Sequence, residues 1–116
     1  MAMDMIEIFY QWFEAHRSLL EQEGITMNIP NPTRGLTPNS IYADLRSQRY
    51  EWTAQVWENG LSDFHFLDWE NMDRGVEATH YEFKTNEELF SALGSTLNRM
   101  RSIVAADPPK SKHEGY

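Results

Sequence analysis

The residues best equipped for chemistry are two histidines set among carboxylates: His65 close in sequence to Asp63 and Asp68, and His80 close to Glu82. An imidazole beside carboxylates can hold a metal ion or move protons as an acid–base pair. The spacing matches no motif of either kind, since there is no paired-histidine helix, glycine-rich phosphate loop or nucleophile elbow. The chain has no cysteine, which removes thiolate metal sites and disulfides together. A third histidine, His16, falls on the apolar stripe of a helical segment and reads as a hydrogen-bonded residue at the edge of a core. No catalytic residue, metal ligand or cofactor is therefore assigned, and the chain is not read as an enzyme.

A binding function remains, and charge narrows the partner. Ten Lys and Arg against 18 Asp and Glu give a net charge of −8. Nucleic acid is an unsuitable ligand, because phosphate binding draws on clustered basic residues. A basic protein surface would be steered toward such a chain, less so at high salt. The same balance also serves plain solubility. With 116 residues, 41% of them hydrophobic and including four Trp, five Tyr and six Phe, the chain has the apolar surface for one core. No apolar run approaches the ~20 residues that cross a bilayer, and the start Met1-Ala2-Met3-Asp4 lacks the pattern of a signal peptide. A cytoplasmic protein without a membrane partner is expected.

The elements that would position any site follow from periodicity. From Asp4 to Glu23, Met5, Phe9, Trp12, Phe13, Leu19 and Leu20 recur at helical intervals, and Gly24 suits the end of that helix. Ile25 to Ile29 reads as a short strand, followed by a proline-rich loop from Pro30 to Asn39. Four strand-like segments follow: Ser40 to Arg46, Arg49 to Glu58, Leu61 to Glu70 and Val76 to Lys84. The turns between them are Ser47-Gln48, Asn59-Gly60, and Asn71 to Gly75. Thr85 and Glu88 form a capping box that opens a second helix, with a stripe of Leu89, Phe90, Leu93, Leu97, Met100 and Val104. The reading is an α+β fold: an N-terminal helix, an antiparallel meander of four to five strands and a C-terminal helix, with both helices on one face of the sheet. Residues 1–105 are read as a single domain and 106–116 as a flexible tail with little to bury.

Counting outward from two-residue turns at Ser47-Gln48 and Asn59-Gly60 sets an expected register. Leu45 then faces Tyr50 and Trp69, and Ala43 faces Trp52 and Leu67, on the side toward the helices. The other side carries Tyr42, Thr53 and Phe66 in one row, Gln55 beside Phe64, and Trp57 beside Ser62. Asp44, Glu51 and Asp68 form an acidic row across three strands. Like charges directly opposite oppose folding by up to ~1 kcal/mol per pair, so a basic partner is one reason for such a row. Acidic solvent faces are also common by composition, and a one-residue bulge would break the register. The candidate binding residues are Tyr42, Asp44, Glu51, Trp57, Phe64, Phe66 and Asp68, an aromatic patch ringed by acids.

Several stretches carry a resemblance: Phe9-Tyr10-Gln11-Trp12-Phe13-Glu14, Asn31-Pro32 through Pro38-Asn39-Ser40-Ile41-Tyr42-Ala43-Asp44-Leu45, Val56-Trp57-Glu58-Asn59-Gly60-Leu61-Ser62-Asp63, and His80-Tyr81-Glu82-Phe83 before the capped helix. Over most of residues 5 to 104 the chain resembles the TriTu family of bacterial immunity proteins. The resemblance implies an antitoxin that binds a cognate ADP-ribosyltransferase toxin acting on elongation factor Tu in interbacterial competition. A one-to-one complex would occlude the toxin's active site or target surface, and no cofactor is needed. The alternative is a secretion chaperone or adaptor for one secreted effector. Such chaperones usually place a helix between strands, whereas the segment from Ser40 to Lys84 shows no helical period.

Overall fold

The computed structural model describes residues 5–30, 40–71 and 77–106. Most of the proline-rich loop, the turn before Val76 and the expected tail lie outside the described residues. Helix α1 spans Met5–Gln22, strands β1 Thr26–Asn28, β2 Ser40–Arg46, β3 Tyr50–Trp57, β4 Leu61–Asp68 and β5 Glu77–Glu82 follow, and helix α2 spans Asn86–Ala106. The strands form one antiparallel sheet in the order β1-β2-β3-β4-β5. This is the expected α+β meander, with five strands.

Local chemistry sets the helix ends. At the end of α1 the Gly24 N–H donates to the Glu21 carbonyl at 3.1 Å and the Ile25 N–H to the Leu20 carbonyl at 2.9 Å. Gly24 stands at φ +81°, the left-handed conformation that lets these crossed bonds satisfy the last carbonyls. At the start of α2, Thr85 Oγ1 accepts from the Glu88 N–H at 3.1 Å and Glu88 Oε1 accepts from the Thr85 N–H at 3.3 Å. The capping box is formed.

Both helices lie on one face of the sheet. Ile6, Phe9, Phe13 and Leu20 from α1, and Leu89, Leu93, Leu97 and Met100 from α2, share one core with the inward residues of the strands. Ring contacts run across it, from Phe9 to Phe13 (4.8 Å), Phe13 to Trp52 (5.6 Å), Trp52 to Phe64 (5.8 Å) and Phe64 to Tyr81 (4.9 Å). The helical stripes differ in detail from expectation: Ile6 is buried, whereas Leu19 and Phe90 are exposed. Arg101 clamps the helices together, its Nε and Nη2 donating to the two Glu23 carboxylate oxygens at 2.8 and 2.6 Å. Arg17 pairs with Glu14 and donates to the Met27 carbonyl at 3.1 Å, tying α1 to β1.

The register departs from expectation at both central hairpins, with opposite consequences. In the β2–β3 hairpin the Ser47 N–H donates to the Tyr50 carbonyl, so the loop is Gln48-Arg49, one residue later than expected. Leu45 pairs with Trp52 and Ala43 with Ala54. The shift is two residues, and because side chains alternate with period two each keeps its expected face. In the β3–β4 hairpin the loop is Glu58-Asn59-Gly60, closed by the Gly60 N–H on the Trp57 carbonyl at 2.9 Å, with Gly60 at φ +93°. The third loop residue moves β4 by one position and turns all its side chains over. Trp52 now pairs with Phe66, Ala54 with Phe64 and Val56 with Ser62. Phe64 and Phe66 are buried in the core, at 4% and 8% exposure, and the expected outward position of both is corrected. Trp69, expected inward, is exposed.

Gly60 has no room for a side chain. A Cβ there would overlap the Phe83 carbonyl oxygen, and the backbone is in a region that L-residues avoid. Gly60→Ala is expected to cost about 1–3 kcal/mol or more of unfolding free energy, measured by urea denaturation.

Candidate functional site

With both helices on one side, the other face of the sheet carries Ser40, Tyr42, Asp44 and Arg46 from β2, and Glu51, Thr53, Gln55 and Trp57 from β3. Beside them lie Leu61, Asp63, His65 and Leu67 from β4, and Ala78, His80 and Glu82 from β5. These are the positions that alternate with the buried ones along the three central strands. Tyr42 is 42% exposed and Leu61 48%, with Trp57 half-buried. Tyr42 stands opposite Gln55 and Trp57 opposite Ser40, so the two rings are diagonal neighbours on adjacent strands. Trp57 and Leu61 line a cavity of about 390 Å³ with His80, whose Nδ1 meets the Asp63 carboxylate. Sequence reasoning missed Leu61 as a surface residue; the signal was the odd length of the Glu58-Asn59-Gly60 loop.

The expected acidic row divides into two unlike sites. Asp44 and Glu51 do lie together, recessed in the outward face and bridged by Arg46, which is 3.1 Å from Asp44 and 3.2 Å from Glu51. Burial raises the Glu51 pKa above its ordinary value, the adjacent Asp44 carboxylate raises it further, and Arg46 opposes both. Asp44 Oδ1 is buried and finds no donor among the described residues. Two carboxylates with one guanidinium leave an excess of negative charge facing outward.

Asp68 does not join them. Its Cα partner is Tyr50, and its carboxylate accepts two bonds from Arg49, at 2.8 Å from Nε and 2.9 Å from Nη2. It also accepts from the Glu70 N–H at 3.0 Å and from Asn71 Nδ2 at 2.9 Å. Arg49 above all, helped by those donors, holds its pKa far below the usual carboxylate range. Asp68 closes the end of β4, and its expected place in an outward acidic row is corrected.

The histidine–carboxylate grouping is likewise dispersed. Asp63 and His80 meet across β4 and β5, whereas Glu82 pairs with Lys84 at 3.0 Å and His65 lies opposite Thr53 and Ala78. Among the described residues no three His, Asp or Glu side chains gather as a metal site would require. His16 donates from Nδ1 to the Trp12 carbonyl at 2.7 Å and packs on the Trp12 ring at 4.2 Å, the boundary role expected of it. No helix among the described residues is long and apolar enough to cross a membrane.

The architecture is a small α+β domain that covers one face of a five-stranded meander and leaves rings and acids on the other. The chain belongs to the TriTu family: the family model described as Immunity protein TriTu matches residues 7–99. A toxin-neutralising role follows from that membership. No curated protein and no solved structure matches the chain.

The two acidic sites have opposite pH signatures. The depressed Asp68 pKa contributes stability that is present above its unfolded value and is lost as pH falls through the acidic range. Asp68→Ala is expected to cost about 1–2 kcal/mol at pH 7, from the lost charged hydrogen bonds, with the deficit shrinking toward pH 2 in acid titrations of the melting temperature. Glu51 binds its proton more tightly folded than unfolded, so its ionisation above the ordinary glutamate range opposes folding. Glu51→Gln is expected to raise the melting temperature at pH 7, and the gain should vanish below about pH 4, where the unfolded carboxyl is also protonated.

Proposed function

We propose that this chain neutralises a cognate ADP-ribosyltransferase toxin domain by forming a one-to-one complex in which the outward sheet face covers the toxin's active site or target surface. The observation that carries the reading is the family match over residues 7–99. The geometry supports this route because an uncovered sheet face can dock without unfolding anything. Tyr42 and Trp57 provide ring surface for a central contact, and Leu61 extends it. Asp44 and Glu51 provide the charge beside it.

Charge complementarity favours the active site as the target. An enzyme that uses NAD must hold an anionic pyrophosphate, so its cleft presents donors and positive potential. An acidic face can occupy that potential, and a net charge of −8 steers the encounter. Inhibition by occlusion asks for no turnover by this chain. Phe64, Phe66 and Asp68 leave the proposed contact set, because the first two are core residues and the third is saturated by Arg49, Glu70 and Asn71. Tyr42, Asp44, Glu51 and Trp57 remain, joined by Leu61.

The test is co-expression with the toxin domain encoded immediately upstream, followed by titration of an inactivated toxin. Wild-type protein should restore growth and bind one to one. Tyr42→Ala and Trp57→Ala should each weaken binding about tenfold or more while the fold persists. Unchanged affinity in both would remove this face as the contact surface.

A further inference from the structure

Strand β5 ends the sheet, and its outer edge has no strand beside it among the described residues. The Phe83 N–H donates to the Gly60 carbonyl at 2.8 Å, toward β4. In an antiparallel ladder, main-chain groups alternate between the two sides of a strand. Phe83, Tyr81, Thr79 and Glu77 therefore point their N–H and C=O groups at β4, and Ala78, His80 and Glu82 point theirs outward. Such a row is a template for another strand, and proteins usually blunt it with proline, lysine or a bulge. Here the stretch Ala78-Thr79-His80-Tyr81 has none of these residues, and its pairing with β4 runs without a bulge.

Hollows flank this edge on both faces of the sheet. The cavity of about 390 Å³ beside Trp57, Leu61 and His80 lies on the outward face. A second, of about 220 Å³, lies on the helix side, where Thr79 and Tyr81 approach Ser95, Thr96 and Arg99 of α2. An added strand would send successive side chains alternately to these two sides. One hollow suits an apolar side chain, and the other a small or polar one.

We propose that β5 accepts a strand of the toxin partner, which extends the sheet by main-chain hydrogen bonds to Ala78, His80 and Glu82 and seats alternate side chains in the two hollows. The proposal rests on the immunity reading and specifies how the partner is gripped. Charge selects this occupant over a second copy of the chain. Glu77 and Glu82 beside the edge are each paired, with Arg99 and Lys84, so the selection comes from the whole molecule: each copy carries −8, so copies repel while a strand with Lys or Arg is attracted.

Amide hydrogen exchange on the wild-type protein tests this, using the catalytically inactivated toxin domain encoded immediately upstream. Exchange at Ala78, His80 and Glu82 should slow at least tenfold on complex formation. Ala78→Pro removes one outward N–H and none that faces β4, so it should fold and bind at least tenfold more weakly. A complex that leaves those three amides unchanged overturns the edge proposal and leaves the immunity reading standing. Concentration-dependent protection of the same amides without toxin would assign the edge to self-association. Absence of any complex would overturn both readings.

Discussion

The structure depends on one turn. Gly60 at φ +93° makes the β3–β4 connection three residues long, and an odd loop decides which way every side chain of β4 points. With that turn, Phe64 and Phe66 meet Trp52 and Tyr50 under the helices, and the ring path from Phe9 to Tyr81 is continuous. With a two-residue turn, both phenylalanines would face solvent and the core would lose two of its large side chains, each worth roughly 1.5–3 kcal/mol when buried. The Gly60 carbonyl also receives the Phe83 N–H, so the turn that sets β4 also fixes the end of β5 just before the α2 cap. Glycine is demanded twice there, by its dihedral and by its contact with Phe83.

This explains why much of the fold was legible in the sequence while the β4 part of the site was not. Helices, strands and caps are written locally: the period of Phe9, Phe13 and Leu20, the Thr85–Glu88 box, and the alternation of Ile41, Ala43 and Leu45 each need only nearby residues. Register needs the count across a turn. At Gln48-Arg49 the miscount was harmless, because a shift of two preserves the faces, and Tyr42, Asp44, Glu51 and Trp57 emerged on the outward side as expected. At Asn59-Gly60 the same dipeptide fits either a two-residue turn or the last two places of a three-residue loop. Composition offered a clue in Phe64 and Phe66, which a meander with one covered face would rather bury than expose.

Charge repeats the lesson on a different scale. Counted as a total, 18 acidic residues suggest a uniformly negative surface, yet several are committed to internal bonds. Glu23 joins Arg101, Glu14 joins Arg17, Glu77 joins Arg99, and Asp68 joins Arg49. Three of these pairs join residues 19, 22 and 78 positions apart, whereas Glu14 and Arg17 sit one turn apart on α1. Asp44 and Glu51 differ because they share one arginine, and burial together with the neighbouring Asp44 carboxylate raises the proton affinity of Glu51. Burial of the incompletely paired Glu51 carboxylate costs stability in the free protein, and under the proposed function a cation supplied by the partner would offset that cost.

Covering a sheet on one side divides the labour of the sequence by parity. Along β2, β3 and β4, alternate residues hold the core and the intervening ones meet whatever approaches, so neighbours in sequence answer to different constraints. Tyr42, Gln55 and Leu61 stand on the opposite face from Trp52 and Phe64, so substitutions there alter the outward chemistry and leave the buried side chains in place. Under the proposed function this separation would let the outward face change to match one particular toxin while the turn at Gly60 and the aromatic core stay as they are. The edge of β5 belongs to neither parity class. Its main-chain groups are insensitive to side-chain identity, so a grip there would supply affinity while the outward face supplies discrimination.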